Sequence, residues 1–131
     1  MSPLILIVDD EPDILSLYRR KLEREGFRVL TVPDGAQAIT VASEHHPDLV
    51  LMDIKMPVMD GITAEKKMKE LPATQNIKIA FLSAFGDPSI AETNEDKEPR
   101  TTTFIRKGIG LSELVELIHN LVSSRESAQK V

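Results

Sequence analysis

Five short apolar runs punctuate the chain: Leu4–Val8, Arg28–Val32, Leu49–Met52, Ile77–Leu82 and Thr102–Ile105. Leu4-Ile5-Leu6-Ile7-Val8 and Leu49-Val50-Leu51-Met52 are apolar without alternation. A strand reads that way when both of its faces are buried, as in a parallel sheet covered by helices. Helical spacings lie between the runs. Over Asp13–Glu25 the pattern places Ile14, Leu15, Leu17, Tyr18 and Leu22 on one face. Pro12 suits its first turn and Gly26 its stop. Over Asp34–His45, Ala38, Ile39 and Ala42 recur at helical spacing, and Gly61–Leu71 forms a weaker helix that ends before Pro72. Leu111–Val122 carries the fullest stripe, with Leu111, Leu114, Val115, Ile118 and Leu121.

Strands alternating with helices over short connections predict an α/β fold, a doubly wound, five-stranded parallel sheet with helices on both faces. No internal repeat, linker or low-complexity tract interrupts it. Two stretches are expected to be loose. Asp87–Arg100 is polar and contains Pro88 and Pro99, and a helix over Ser89–Glu98 would pack through Ile90 and Ala91 alone. A short or irregular fourth helix is therefore predicted there. The other is the end of the chain, from Ser123 to Val131. Residues 1–124 are read as the domain and 125–131 as a flexible C-terminal tail.

Composition narrows the function. A chain of 131 residues is one domain, long enough for a real core. The absence of cysteine excludes disulfides, thiolate metal sites and a cysteine nucleophile. Sixteen basic against 21 acidic residues leave a net charge of −5, which argues against nucleic acid or an anionic membrane as a partner. No apolar run approaches the length of a membrane span. The opening Met1-Ser2-Pro3, followed by Leu4–Val8 and then Asp9-Asp10-Glu11, is too short and acidic for a secretory signal. A soluble, cytoplasmic domain is expected.

Ligands of such sheets bind at the carboxyl ends of the strands. Asp9, Asp10 and Glu11 follow the first run, Asp53 the third, Ser83 the fourth and Lys107 closely follows the fifth. Each residue alone has an ordinary explanation: a helix cap, a loop carboxylate, a strand-end hydroxyl, a surface lysine. Their convergence on one rim does not. Carboxylates crowded together repel, and a hard divalent cation with oxygen ligands relieves them; Mg²⁺ suits one or two carboxylates, several waters and phosphoryl oxygens. A lysine opposite supplies a point charge for a phosphoryl group and a hydroxyl supplies a donor. A carboxylate can itself be the nucleophile, giving an aspartyl phosphate. His45-His46 is read differently, because neighbours on a helix point apart and histidines in a last turn suit the helix dipole.

Asp9-Asp10, the stretch Asp53-Ile54-Lys55-Met56-Pro57-Val58-Met59-Asp60-Gly61, Ser83-Ala84 and Phe104-Ile105-Arg106-Lys107 together resemble the receiver domain of two-component response regulators. The likeness is to the single-domain, chemotaxis-regulator-like kind and is collinear over about residues 3–122. It implies a flavodoxin-like (βα)5 sandwich. It further implies Asp53 as phosphoacceptor, with Mg²⁺ held by Asp9, Asp10, Asp53 and the backbone carbonyl of Lys55. Ser83 and Lys107 would contact phosphoryl oxygens, and Phe104 would be the switch aromatic that follows Ser83. Lys55 and Phe85 sit where the family tunes phosphoryl lifetime. The implied donor is a sensor histidine kinase or phosphotransfer protein, and the implied output is docking to a downstream protein. Such a chain is a signalling switch that takes part in its own phosphoryl transfer and dephosphorylation, not an enzyme acting on other substrates.

One departure from the family touches the site. A proline usually follows the lysine, after a cis peptide, and here Gly108 stands in its place. A cis bond before a non-proline costs ~2.5–4 kcal/mol, so the bond is either trans or strained. Three other functions compete. A pseudo-receiver would bind partners without phosphorylation, but every site position carries a usable group. An aspartyl-phosphate phosphohydrolase resembling the haloacid dehalogenases wants an aspartate two residues after the nucleophile, where this chain has Lys55. A nucleotide-binding domain wants glycines after the first strand, and there are none.

Overall fold

The computed structural model describes residues 2–83 and 103–130. Five strands, β1 (Leu4–Val8), β2 (Arg28–Val32), β3 (Leu49–Asp53), β4 (Lys78–Ser83) and β5 (Thr103–Arg106), form one parallel sheet in the order β2-β1-β3-β4-β5. The described helices are α1 (Pro12–Arg24), α2 (Gly35–His45), α3 (Gly61–Glu70) and α4 (Leu111–Lys130). The chain steps from β1 to β2 on one side and returns to β3 on the other. Strand order therefore reverses between β1 and β3, which opens a crevice at their carboxyl ends.

The unbroken apolar runs mean what they predict. In β1, Ile5 and Ile7 face one layer of core while Leu6 and Val8 face the other; in β3, Leu49 and Leu51 oppose Val50 and Met52 in the same way. The first layer packs Tyr18 and Leu22 of α1 with Leu114, Val115, Ile118 and Val122 of α4. The second packs Ala38 and Ala42 of α2 with Ala64 and Met68 of α3. Full burial of a side chain such as Ile5, Leu6 or Ile7 contributes ~1.5–3 kcal/mol, and all three are wholly buried. The central strands are thus a rigid base for whatever projects from their ends.

Local signals set the helix ends. Pro12 starts α1, and Gly26, with φ of 97°, lies just past its C-cap. Asp34 caps α2 by accepting from the Gln37 N–H at 2.9 Å, and Asp60 caps α3 by accepting from Thr63 at 2.7 Å.

Several expectations need correction. The ladder carries β3, β4 and β5 through Asp53, Ser83 and Arg106, so the first two polar residues end their strands instead of following them. Leu17 is not on the buried face of α1; it is 48% exposed. At about 100° per residue it falls well to one side of the row formed by Ile14, Tyr18 and Leu22. The backbone of α4 is helical through Lys130. Arg125, Glu126, Ala128 and Gln129 are good helix formers and no glycine or proline intervenes. The expected fourth helix over Ser89–Glu98, and Phe85, lie outside the described residues.

Candidate functional site

β1 and β3 deliver Asp9, Asp10 and Asp53 to the crevice. Asp9 continues the β1 ladder, its N–H donating to the Val32 carbonyl at 3.2 Å. Its side chain is wholly buried: Oδ1 accepts from the Glu11 N–H at 2.9 Å, while Oδ2 has no hydrogen-bond partner among the described residues. Asp53, the last residue of β3, is 5% exposed. Asp10 is exposed and opens the cluster to water. Carboxylate oxygens of all three lie within 4.8 Å of one another.

Lys107, just beyond β5, closes the far side. Its Nζ donates to Asp53 Oδ2 at 2.9 Å and lies 3.9 Å from Asp9 Oδ2. The backbone holds it there, since the Lys107 N–H donates to the Ser83 carbonyl at 2.8 Å. Ser83 ends β4, one residue beyond Leu82, which pairs with Asp53. It is buried, and among the described residues its hydroxyl donates a long 3.5 Å bond to the Ile105 carbonyl. Phe104 is half-buried in β5, its ring 5.5 Å from that of Phe81. Lys55 is exposed in the loop after β3. His45 and His46 are remote, ending α2, with His46 in the left-handed region as its C-cap. Asp9, Asp10, Asp53, Ser83 and Lys107 therefore meet at one rim, whereas Phe104 packs beside Phe81, Lys55 is exposed in the following loop, and the histidines lie elsewhere.

The charges are mutually dependent. Burial raises Asp9 above the ordinary carboxylate range and the charge of Asp53 raises it further, against the Glu11 N–H and Lys107. Burial likewise raises Asp53, opposed by its bond to Lys107. Burial alone would lower Lys107, but the bond to Asp53 and the charges of Asp53, Asp9 and Glu11 outweigh it and raise the ammonium. One lysine thus serves two buried carboxylates, with Oδ2 of Asp9 outside its hydrogen-bonding reach. That orphaned oxygen, the three-carboxylate donor set and the exposed flank at Asp10 fit a hard divalent cation that keeps part of its water shell.

The family model for the response regulator receiver domain matches residues 5–119. The chain belongs to that family. Receiver domains take phosphoryl groups from histidine kinases or phosphotransfer proteins, in two-component signalling. This receiver is similar to sporulation initiation phosphotransferase F of Bacillus subtilis, 33% identical over 118 residues, covering 90% of this chain and 92% of that one. It is 44% identical over 91 residues to the chemotaxis protein CheY of the same organism, covering 69% of this chain and 74% of that one. It matches the transcriptional regulatory protein PrrA of Mycobacterium tuberculosis at 33% identity over 96% of its own length, and spans only 52% of that protein. Among solved structures, it resembles the receiver domain of a sensor histidine kinase from Pseudomonas aeruginosa with a TM-score of 0.81 and 25% identity, covering 94% of this chain and 99% of that one. That structure is described with a magnesium ion coordinated in its active site cleft.

Two features of this receiver were hidden from sequence reasoning. The Lys107–Gly108 bond is trans, and Gly108 has φ of 91°. A proline, with φ near −65°, could not take that conformation, so the family's residue would not fit this loop. The second is Gly61. A Cβ there would collide with the Asp53 carbonyl, so only glycine lets α3 begin against the end of β3. Its N–H donates to the Ile54 carbonyl at 2.7 Å. The pair Asp60-Gly61 is visible in the sequence as a motif, but the contact behind it is not.

Proposed function

We propose that this receiver is a phosphorylation-controlled switch whose phosphoacceptor is Asp53. A carboxylate oxygen of Asp53 attacks the phosphorus of a phosphohistidine on a sensor histidine kinase or phosphotransfer protein. The P–N bond breaks, the imidazole departs with the electron pair and is protonated from water, and Asp53 retains the new O–P bond as an acyl phosphate. Asp9, Asp10, Asp53 and the Lys55 carbonyl would hold Mg²⁺, which when bound neutralises phosphoryl charge.

The chain's own residues do the rest. Lys107, positively charged at neutral pH, moves its ammonium from Asp53 Oδ2 to a phosphoryl oxygen and balances the added charge. Ser83, whose existing bond is long, turns its hydroxyl to a second phosphoryl oxygen. Phe104, half-buried beside β4, follows Ser83 and changes the surface offered to a downstream protein. Lys55, exposed at the mouth, controls water access and with it the acyl phosphate's lifetime, the role also assigned to Phe85. Loss of the phosphoryl group to water is the chain's own chemistry; it acts on no separate substrate. The exchange takes place in the cytoplasm, and no nucleic acid or membrane contact is assigned to these residues.

One observation carries this assignment: a single ammonium bridges two buried carboxylates at the sheet's switch point. The trans bond at Gly108 still delivers Lys107 to Asp53, which weighs against a pseudo-receiver. The test is intact mass after incubation with acetyl phosphate and Mg²⁺. The parent should gain one base-labile phosphoryl group and Asp53→Asn none. Equal labelling of the two removes Asp53 as acceptor.

A further inference from the structure

We infer that Gly35, eighteen residues before Asp53 and at the start of α2, is a positioning residue for the phosphoacceptor, acting through the loop that joins β3 to α3. The inference rests on the assignment of Asp53 as acceptor. Gly35 is the first residue of α2 and is buried. A Cβ built on it would lie 2.7 Å from the Met59 carbonyl oxygen, 2.9 Å from the Ala64 Cβ and 3.3 Å from the Asp60 carbonyl oxygen. Its N–H donates to the same Met59 carbonyl at 3.3 Å. The start of α2 therefore seats the end of the β3–α3 loop with no room to spare.

That contact leads directly to the site. Met59 and Asp60 are followed by Gly61, where a Cβ would run into the Asp53 carbonyl and whose N–H donates to the Ile54 carbonyl. The loop is taut in between: the Met59 N–H donates to the Pro57 carbonyl at 2.7 Å across Val58, which is forced to φ of 69°. A residue in that region is already strained when β-branched, so the loop has little slack to absorb a push. A side chain at 35 would drive the Met59 and Asp60 carbonyls outward, and Gly61 would pass the shift to the backbone of Asp53.

Backbone freedom does not explain the glycine. Gly35 is absent from the positive-φ residues, so an alanine could adopt its conformation. Alanine is also the better helix former. Only the close approach of the loop requires glycine at this position.

The two backbone contacts and the Ala64 contact separate positioning from packing. Gly35→Ala meets all three; in Gly35→Ala/Ala64→Gly the Ala64 contact is relieved and the carbonyl contacts remain. Initial rates of labelling by acetyl phosphate at saturating Mg²⁺ are measured on the parent and both variants, with melting temperatures and amide exchange at Gly61. Misplacement of reacting groups by even an ångström costs up to about a hundredfold in rate, and a loss of about tenfold or more is expected in both variants. The double variant should regain melting temperature without regaining rate, and Gly61 should exchange faster in both. Should Gly35→Ala alone fail to fold, the double variant carries the comparison. Labelling at the parent's rate, or a rate that recovers in step with melting temperature, overturns the role of Gly35 while the parent's labelling leaves the acceptor assignment standing. An unlabelled parent overturns both.

Discussion

The two rims of this sheet are built from similar residues to opposite ends. At the amino rim, polar side chains tie backbone to backbone. Asp48 Oδ2 accepts from the Leu4 N–H at 2.8 Å while the Asp48 N–H donates to the Leu4 carbonyl. The Thr74 hydroxyl, wholly buried, donates to the Met68 carbonyl at 2.7 Å, and Lys78 Nζ reaches the Leu121 carbonyl of α4. At the carboxyl rim, among the described residues, three carboxylates crowd together, one buried oxygen has no hydrogen-bond partner, and Lys107 is shared between two of the carboxylates. One aspartate, Asp48, ties the start of β1 to the segment entering β3; another, Asp9, stands at the opposite end of β1 in a place that opposes its charge. The difference lies in what completes each group. The amino rim is completed by the chain itself, whereas the carboxyl rim gathers a three-carboxylate donor set that could hold a metal ion.

The contrast can be broken most sharply with metal. Mg²⁺ that binds the folded chain alone stabilises it by about 2.7 kcal/mol at a hundred times its Kd. Thermal melts of the parent should shift upward with Mg²⁺, and Asp10→Asn should lose most of that shift. A parent indifferent to millimolar Mg²⁺ would erase the distinction between the rims. A smaller effect is expected at the other end. Asp48→Ala leaves the Leu4 N–H without its side-chain partner and should cost about 1–2 kcal/mol by denaturant unfolding, with Mg²⁺ response and labelling unchanged.

The smallest effect concerns sign rather than size. Asp9 and Asp53 both titrate above the ordinary value of 3.8. Their acid forms are therefore favoured by folding, and the stability they contribute is full below that value and lost as pH rises through the folded-state pKa. Asp9→Asn removes one of the two charges. In metal-free buffer it should be more stable than the parent at neutral pH, and the gain should vanish as pH falls below 3.8. A variant less stable than the parent at neutral pH would mean that Lys107 more than offsets the repulsion.

Much of this was legible in the chain because it is local or periodic. β1 and β3 are apolar on both faces, and only a sheet covered on two sides explains that. Asp9, Asp53, Ser83 and Lys107 could be assigned to one rim because parallel strands send all their carboxyl ends the same way. What escaped depends on contacts or on loop geometry. Leu17 belongs to the same apolar cluster of sequence as Tyr18, and only the position of the sheet decides which of them is covered. Gly108 shows that a trans bond followed by a residue at positive φ delivers Lys107 to Asp53. Gly35 and Gly61 are ordinary turn residues in sequence; the backbone atoms they admit come from elsewhere in the chain. The extension of α4 past Val122 rests on helix propensity, which an apolar stripe does not report.

Tyr18 has a practical consequence. It is the chain's one tyrosine, and there is no tryptophan. Its phenol is held in the core where burial, and next the charge of Asp9, raise its pKa, with Lys107 and Asp53 also acting on it. Ultraviolet emission from the unlabelled protein thus originates at one ring within the electric field of the carboxylate cluster. Rearrangement of those charges, whether by cation entry or by phosphorylation, is therefore expected to alter the emission of Tyr18, a readout that needs no attached dye.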